Sequence, residues 1–488
     1  MKKIRIIASV LMALLLLIAC PIDQIENEPA QNSEKEITAF SFMAADNTEL
    51  SSDVTGIISG TDIDLTVPYG TDVTALVASF ATTGASVTVD GTEQTSGTTA
   101  NDFSNPLTYR VTAADNTWQD YTVTAAIAAA ATEGSGFSSA IAAGDTGEIT
   151  FSPSSETLTM IYANDSTNIT FPIFEDDSAN VTLTKRFWMA ETEVTNAVMA
   201  AVLQWAYDNG WFSTTVGDHN GLDATTAKQG EQQLLNLGDE NCRVDYDGSG
   251  SFTAESGYDD HPVTNITWYG AVMFCNWLTE MRDGTIDNVV YTDIDTDWED
   301  HETTENIERN GYRLPSKDEW EYAARYLGTT EPETGGNLDS ERKYGNDDPD
   351  WTDGYYWTPG NYASAAYTYW DDESDVNPAN SVVDNKDAND LVAVYGYYYY
   401  DGTWQDKGTS DEAAVKSLGE DSANALGLYD MSGNVFEWCF SVAAGGWVAR
   451  GGGWNGPSLS LQVGLSGRGA PAYFEGNNGG FRICRTAD

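Results

Sequence analysis

Apolar and polar positions alternate through the first third of the chain. Ile63-Asp64-Leu65-Thr66-Val67 and Val87-Thr88-Val89 put every second side chain on one face, the period of a half-buried strand. Pro68-Tyr69-Gly70 follows the first run and Asp90-Gly91 the second, both turn signals. Leu107-Thr108-Tyr109-Arg110-Val111 and Tyr121-Thr122-Val123 add strands, with Asp115-Asn116 between them. Short strands at this spacing predict a small all-β sandwich over 35–127. Residues 128–149 are rich in Ala, Gly and Ser and read as a linker.

Beyond residue 150 the period changes to helical in three places. Ser316 and Glu319 form a capping box, and Trp320, Ala323, Ala324 and Leu327 follow on one face, with Gly328 able to end the helix. A second helix is expected from Thr267, with Trp268, Ala271, Val272 and Cys275 on one side. A third is expected from Thr195, carrying Val198, Val202 and Ala206. Asp245-Tyr246-Asp247-Gly248-Ser249-Gly250 has the spacing of an EF-hand loop, but Ser256 stands where the bidentate glutamate belongs, so a plain Asp/Gly turn is expected.

Lys2, Lys3 and Arg5 precede an apolar run from Ile6 to Ile18. It is short for a membrane span and reads as a signal peptide over 1–19. Leu17-Ile18-Ala19-Cys20 resembles a bacterial lipobox. The resemblance implies cleavage before Cys20, lipid on its thiol, and a polar tether over 20–34. The membrane partner is then a lipid anchor, and the expected place is the cell envelope, facing periplasm or exterior. Acidic residues number 76 against 23 basic ones, a net charge of −53. Such a surface repels nucleic acid and anionic headgroups. Three widely spaced histidines offer no HxxxH pair, and the cysteines are too far apart for a CxxC zinc site.

Five blocks carry a family resemblance. They are Phe187-Trp188-Met189 through Thr195-Asn196, His261-Pro262-Val263 through Trp277-Leu278, Gly311-Tyr312-Arg313-Leu314-Pro315 through Arg325, Asn424-Ala425-Leu426 through Trp438, and a Gly-rich end from Arg450-Gly451-Gly452-Gly453-Trp454-Asn455 to Gly480-Phe481-Arg482. Together they resemble the formylglycine-generating enzyme, or sulfatase-modifying-factor, family. The resemblance implies an α+β, C-type-lectin-like fold over 150–488. The stretch before it resembles immunoglobulin- or cadherin-like repeats of bacterial surface lipoproteins.

Family enzymes hold copper on two cysteines five positions apart within the last block. Here those positions fall near Leu461 and Ser466, and no cysteine lies between Arg450 and Gly480. A leucine supplies no thiolate for metal or nucleophilic chemistry, so no catalytic residue is assigned and copper is not expected. Calcium is expected, since the resemblance places it on Asp430, Gly433, Val435 and Glu437; two carboxylates and two carbonyls suit a hard cation. A second family calcium site would begin near Asn361 and Tyr362.

Trp454, Asn455, Leu461, Ser466 and Arg468 are the expected ligand-binding residues, with Tyr473 and Phe474 close by, for an unidentified protein or carbohydrate. Export favours oxidation, and a Cys439–Cys484 disulfide is expected; the family resemblance offers Cys275–Cys484 instead. The function expected first is binding or scaffolding. A degenerate protein-modifying oxidase and a diversified ligand-display protein are the alternatives.

Overall fold

The structure is a computed structural model. It describes residues 31–48, 50, 53–68, 71–127, 130–140, 142–174, 178–209, 211, 222–223, 226–229, 232–248, 250–292, 304–329, 356–358, 362–365, 376–377, 382–383, 386–400, 403–444, 446–465 and 468–487. The signal peptide, Cys20, Asn361 and Ser466 lie outside these residues. Contacts divide the chain into two compact units, Met1–Ala128 and Ala129–Asp488. Among the described residues strands dominate and helices are few.

In the first unit, β1 (Ile37–Phe42), β2 (Val54–Thr55), β5 (Leu76–Thr82) and β8 (Ala100–Asn101) form one sheet in the order β2-β1-β5-β8. A second sheet takes the order β3-β4-β10-β9-β6-β7, from β3 (Ile57–Ser59), β4 (Asp62–Val67), β6 (Ser86–Val89), β7 (Thr92–Glu93), β9 (Leu107–Thr112) and β10 (Trp118–Ile127). The alternation read from the sequence is what orients these strands. In β4, Ile63, Leu65 and Val67 are buried while Asp62, Asp64 and Thr66 face solvent. Tyr109 stands at the centre of the core, its ring 5.1 Å from that of Phe40. β4 runs parallel to β10, pairing Asp62 with Thr122.

The second unit has a six-stranded sheet built from distant parts of the chain. Its order is β11-β12-β13-β14-β20-β15: β11 (Ala130–Glu133), β12 (Thr146–Ser152), β13 (Thr157–Tyr162), β14 (Arg186–Ala190), β20 (Cys484–Ala487) and β15 (Tyr312–Arg313). The expected linker over 128–149 is therefore corrected. Ala130 pairs with Ser152, and Ala130 and Ala131 are buried, because a small side chain suits that closely packed edge. A second sheet takes the order β18-β17-β16-β19, from β16 (Phe436–Ala443), β17 (Gly446–Arg450), β18 (Arg468–Ala470) and β19 (Gly479–Gly480).

The three expected helices form. α1 (Asn196–Asp208) is capped by the Thr195 side chain, which accepts from the Val198 N–H, and α2 (Trp268–Asp283) by Thr267, which accepts from Gly270. α3 (Lys317–Arg325) carries the full capping box of Ser316 and Glu319. It stops at Arg325 rather than near Gly328, because Tyr326 turns extended and pairs with Trp357. Asp245 to Phe252 makes a hairpin, Tyr246 pairing with Phe252, and the Asp247 carboxylate accepts from the Ser251 N–H. A turn, as expected, accounts for its acidic and glycine residues.

Candidate functional site

The charged residues of the signature blocks sit inside the second unit as paired ions. Arg313 donates to both oxygens of Glu319 at 2.6 and 2.7 Å, and Glu319 also accepts from the Ser316 N–H at 2.9 Å. Glu321 joins Arg325 at 3.1 Å and Arg450 at 2.6 Å. Arg450 also donates to the Leu465 and Val463 carbonyls, while its guanidinium lies 4.9 Å from the Trp320 ring. A buried charge is tolerated when its partner and remaining hydrogen bonds are supplied. The Arg313–Glu319 and Arg325–Glu321 pairs meet that condition, and the Glu321–Arg450 pair ties α3 to β17 with the Arg450 Nε–H left without a partner among the described residues.

The fourth block centres on Glu437. Arg482 grips its two oxygens at 2.7 Å each, and the Trp320 indole N–H donates at 2.8 Å. Arg482 also donates to the carbonyls of Ala190, Glu191 and Tyr429. Asp430 has φ +54° and accepts from the Lys416 N–H at 2.8 Å. Burial pushes its carboxyl above the usual range. Gly433 has φ +89°, and a Cβ there would stand 2.4 Å from the Val394 carbonyl oxygen, so only glycine fits. Val435 is fully buried.

The calcium ligands expected from the resemblance do not all fit this arrangement. Asp430, Gly433 and Val435 lie on the loop that leads into β16, where Glu437 stands, but three N–H donors already occupy both oxygens of Glu437. Among the described residues no three His, Cys, Asp or Glu side chains converge as a metal centre. Tyr362 is described and its carbonyl accepts from the Val463 N–H.

The Gly-rich end divides the expected ligand-binding residues. Trp454 is 8% exposed and its indole N–H donates to the Asn477 carbonyl at 2.8 Å, a packing position. Asn455 accepts from the Asn478 amide at 2.7 Å, which closes the loop on itself. Leu461 is 1% exposed and packs with Ala363, Ala365, Val392, Ala393 and Tyr395. Its assignment as a pocket residue is corrected, because an apolar side chain gains more from this cluster than from water. Arg468 lies on β18. Two large aromatic side chains of this block face solvent, Tyr473 at 70% exposure and Phe474 at 45%. A separate groove of about 340 Å³ runs between Pro153, Glu156, Ala197, Ala201 and Phe252.

All four described cysteines are free and buried. The expected Cys439–Cys484 disulfide is thus corrected: the Cys439 thiol donates to the Glu437 carbonyl at 3.8 Å, whereas the Cys484 sulfur accepts from Arg313 at 3.7 Å. Burial pushes the Cys242 thiol up to about 12 and raises the other three as well. None is poised as a thiolate.

Two features escaped the sequence. The Glu412 side chain is fully shielded, with its carboxyl 3.8 Å from the His261 ring nitrogen. Burial, with Asp411 alongside, pushes Glu412 up to about 8, and burial lowers His261. Glu193 is fully buried, and neither of its carboxyl oxygens has a hydrogen-bond partner. Its place in the Glu-Val-Thr-Asn run of the first block was the available signal, and nothing local distinguishes it from the solvated glutamates nearby.

Residues 159–487 match the family described as Sulfatase-modifying factor enzyme 1-like domain, and residues 37–125 match the one described as SGBP, N-terminal. The chain is similar to Chaperone protein LppX of Paenibacillus barcinonensis, at 26% identity over 244 residues, 47% of this chain and 71% of that protein. It is also similar to Serine/threonine-protein kinase Pkn1 of Chlamydia trachomatis serovar L2, at 25% identity over 191 residues, 39% of this chain but 16% of the kinase. Among solved structures, Treponema denticola variable protein 1 is similar with TM-score 0.36 and 20% identity, covering 68% of this chain and 96% of that one. CarF is similar with TM-score 0.35 and 21% identity, covering 66% and 98%. At these TM-scores neither structure bears on function.

Proposed function

The chain belongs to the Sulfatase-modifying factor enzyme 1-like family, and from that premise we propose that its second unit binds or scaffolds without copper oxidase chemistry. One observation carries this reading. The segment from Arg450 to Gly480 has no cysteine, and Leu461, at one expected ligand position, packs into an apolar cluster. Copper(I) needs soft donors, and a buried leucine offers none. The unit is taken as a C-type-lectin-like variant, with the all-β domain before it as a spacer. The ligand, protein or carbohydrate, meets the block carrying the exposed Tyr473 and Phe474; aromatic faces at a polar surface suit such contacts. That exposed pair also favours ligand display as the second reading.

The test is incubation of the purified protein with a Cys-x-Pro-x-Arg peptide, copper(I) and oxygen. The expected peptide mass is unchanged; the mass change of aldehyde formation would overturn the reading.

We place the protein in the cell envelope, anchored by lipid on Cys20. The lipobox-like Leu17-Ile18-Ala19-Cys20 supports this. Cells fed radiolabelled fatty acid should label the wild type, and Cys20→Ala should yield an unlabelled protein free of the membrane fraction. Equal labelling of that variant refutes the anchor.

A further inference from the structure

Three elements line the groove of about 340 Å³ beside α1. Ala197, Ala200 and Ala201 lie along one face of the helix, Pro153 and Glu156 come from the turn between β12 and β13, and the hairpin strand Phe252–Ala254 completes the lining. Methyl groups at the three alanines leave the space open. The volume is at the small end of ligand sites.

The hairpin strand brings its backbone to the groove, since Phe252, Thr253 and Ala254 follow one another in the lining. It belongs to a two-stranded sheet and pairs with Val244–Tyr246 alone. The Glu255 N–H donates to the Arg243 carbonyl at 2.8 Å, and the Asp247 N–H to the Ser251 carbonyl at 3.1 Å. Antiparallel bonding alternates between these two points. Thr253 therefore bonds to Asp245, while Phe252 and Ala254 turn their N–H and C=O groups to the open edge. Gln204 of α1 accepts from the Phe252 N–H at 3.0 Å. The Ala254 groups have no partner among the described residues. An edge of this kind is a template for an added strand.

The groove also carries charge without a counter-ion. Glu156 and Asp259 both line it, and no lysine, arginine or histidine does. Among the described residues neither carboxylate joins an ion pair. Burial holds the Glu156 carboxyl above its usual range, with Asp260 and Asp259 adding to the shift; a bound cation would reverse it. We propose that the groove takes an extended segment of a partner protein that carries a lysine or arginine, with its backbone on the Ala254 edge, its methylene stem along the alanines and its charge on Glu156 and Asp259. Long basic side chains bury their stems on apolar surface and keep the charged end on polar groups. The carboxylates select the cation, and the open edge selects a peptide over a free amine. This surface uses no residue of the Tyr473–Phe474 block and does not depend on the function proposed above.

The experiment uses the full chain and an acetylated, amidated Gly-Thr-Lys-Thr-Gly peptide, titrated by calorimetry. Salt is held at about 0.15 M, where attraction to the distant acidic surface is screened. The lysine peptide should bind. The same peptide with norleucine for lysine, and cadaverine alone, should each bind at least tenfold more weakly. Glu156→Gln with Asp259→Asn should weaken the lysine peptide at least tenfold and leave the norleucine peptide unchanged. Ala201→Phe should block the groove; if that variant does not fold, the carboxylate variant decides. The proposal is overturned if the lysine peptide does not bind, or if it binds the carboxylate variant as tightly as wild type, which is general attraction to an acidic surface. Equal binding of norleucine peptide shows that charge plays no part, and equal binding of cadaverine that the strand edge plays none; either result overturns it too.

Discussion

Replacing Arg482 by methionine should cost the second unit about 3–5 kcal/mol, the usual loss when one member of a buried ion pair is removed. Both partners have no side-chain exposure. The substitution removes the two bonds that hold Glu437 and the donors to the Ala190, Glu191 and Tyr429 carbonyls. It also leaves three buried carboxyls without the cation they share. Methionine fills much of the volume, so the loss is electrostatic more than steric. Urea unfolding followed by tryptophan fluorescence would measure it. Adding Glu437→Leu to the variant should recover part of the loss, because an apolar pair carries no stranded charge. The recovery stays partial, since Trp320 then loses its acceptor. An unfolding free energy within about 0.5 kcal/mol of wild type, the range of an ordinary surface substitution, would show that the pair is not a structural centre.

Trp268→Ala should be of similar size, about 3–5 kcal/mol from the lost apolar burial and the cavity left behind. Trp268 opens α2 at 1% exposure and stacks on Trp447 with ring centroids 3.8 Å apart and planes 12° apart. Phe440 closes the cluster at 5.5 Å. The indole N–H donates to the Cys439 carbonyl at 3.3 Å. Truncation therefore opens a void between the helix and the β16–β17 hairpin and strands a buried carbonyl. Trp268→Phe keeps most of the apolar contact and should lose distinctly less. Chemical denaturation monitored by circular dichroism separates the two. Equal losses for Ala and Phe would mean that the hydrogen bond, not the stack, matters most.

The two predictions bear on how the family signature should be read. Arg313, Glu319, Glu321, Arg325, Glu437, Arg450 and Arg482 look like chemistry in a sequence. In the folded unit each is committed to a partner inside the core. Leu461 lies outside this ionic framework, in the apolar cluster with Ala363, Val392 and Tyr395.

Local features were legible from residue order alone. The two-residue period of β4, the caps at Thr195, Thr267 and Ser316, and the turn at Asp247 each depend on neighbours within a few positions. Chain geometry at that range leaves little freedom. The five blocks likewise identified the family. Tertiary structure decided what spans long separations. Arg482 meets Glu437 across 45 residues and the Ala190 carbonyl across 292. Ala130 and Ala131, linker by composition, became a paired strand because β12 was there to receive them. Leu461 turned inward once Tyr395 and Ala363 supplied an apolar surface. Cys439 and Cys484 were drawn to different partners. Glu193 reads as one glutamate among many, and only its enclosure beside Asp430 and Glu437 makes it conspicuous. Desolvation and pairing are properties of the assembled interior, so no local pattern encodes them.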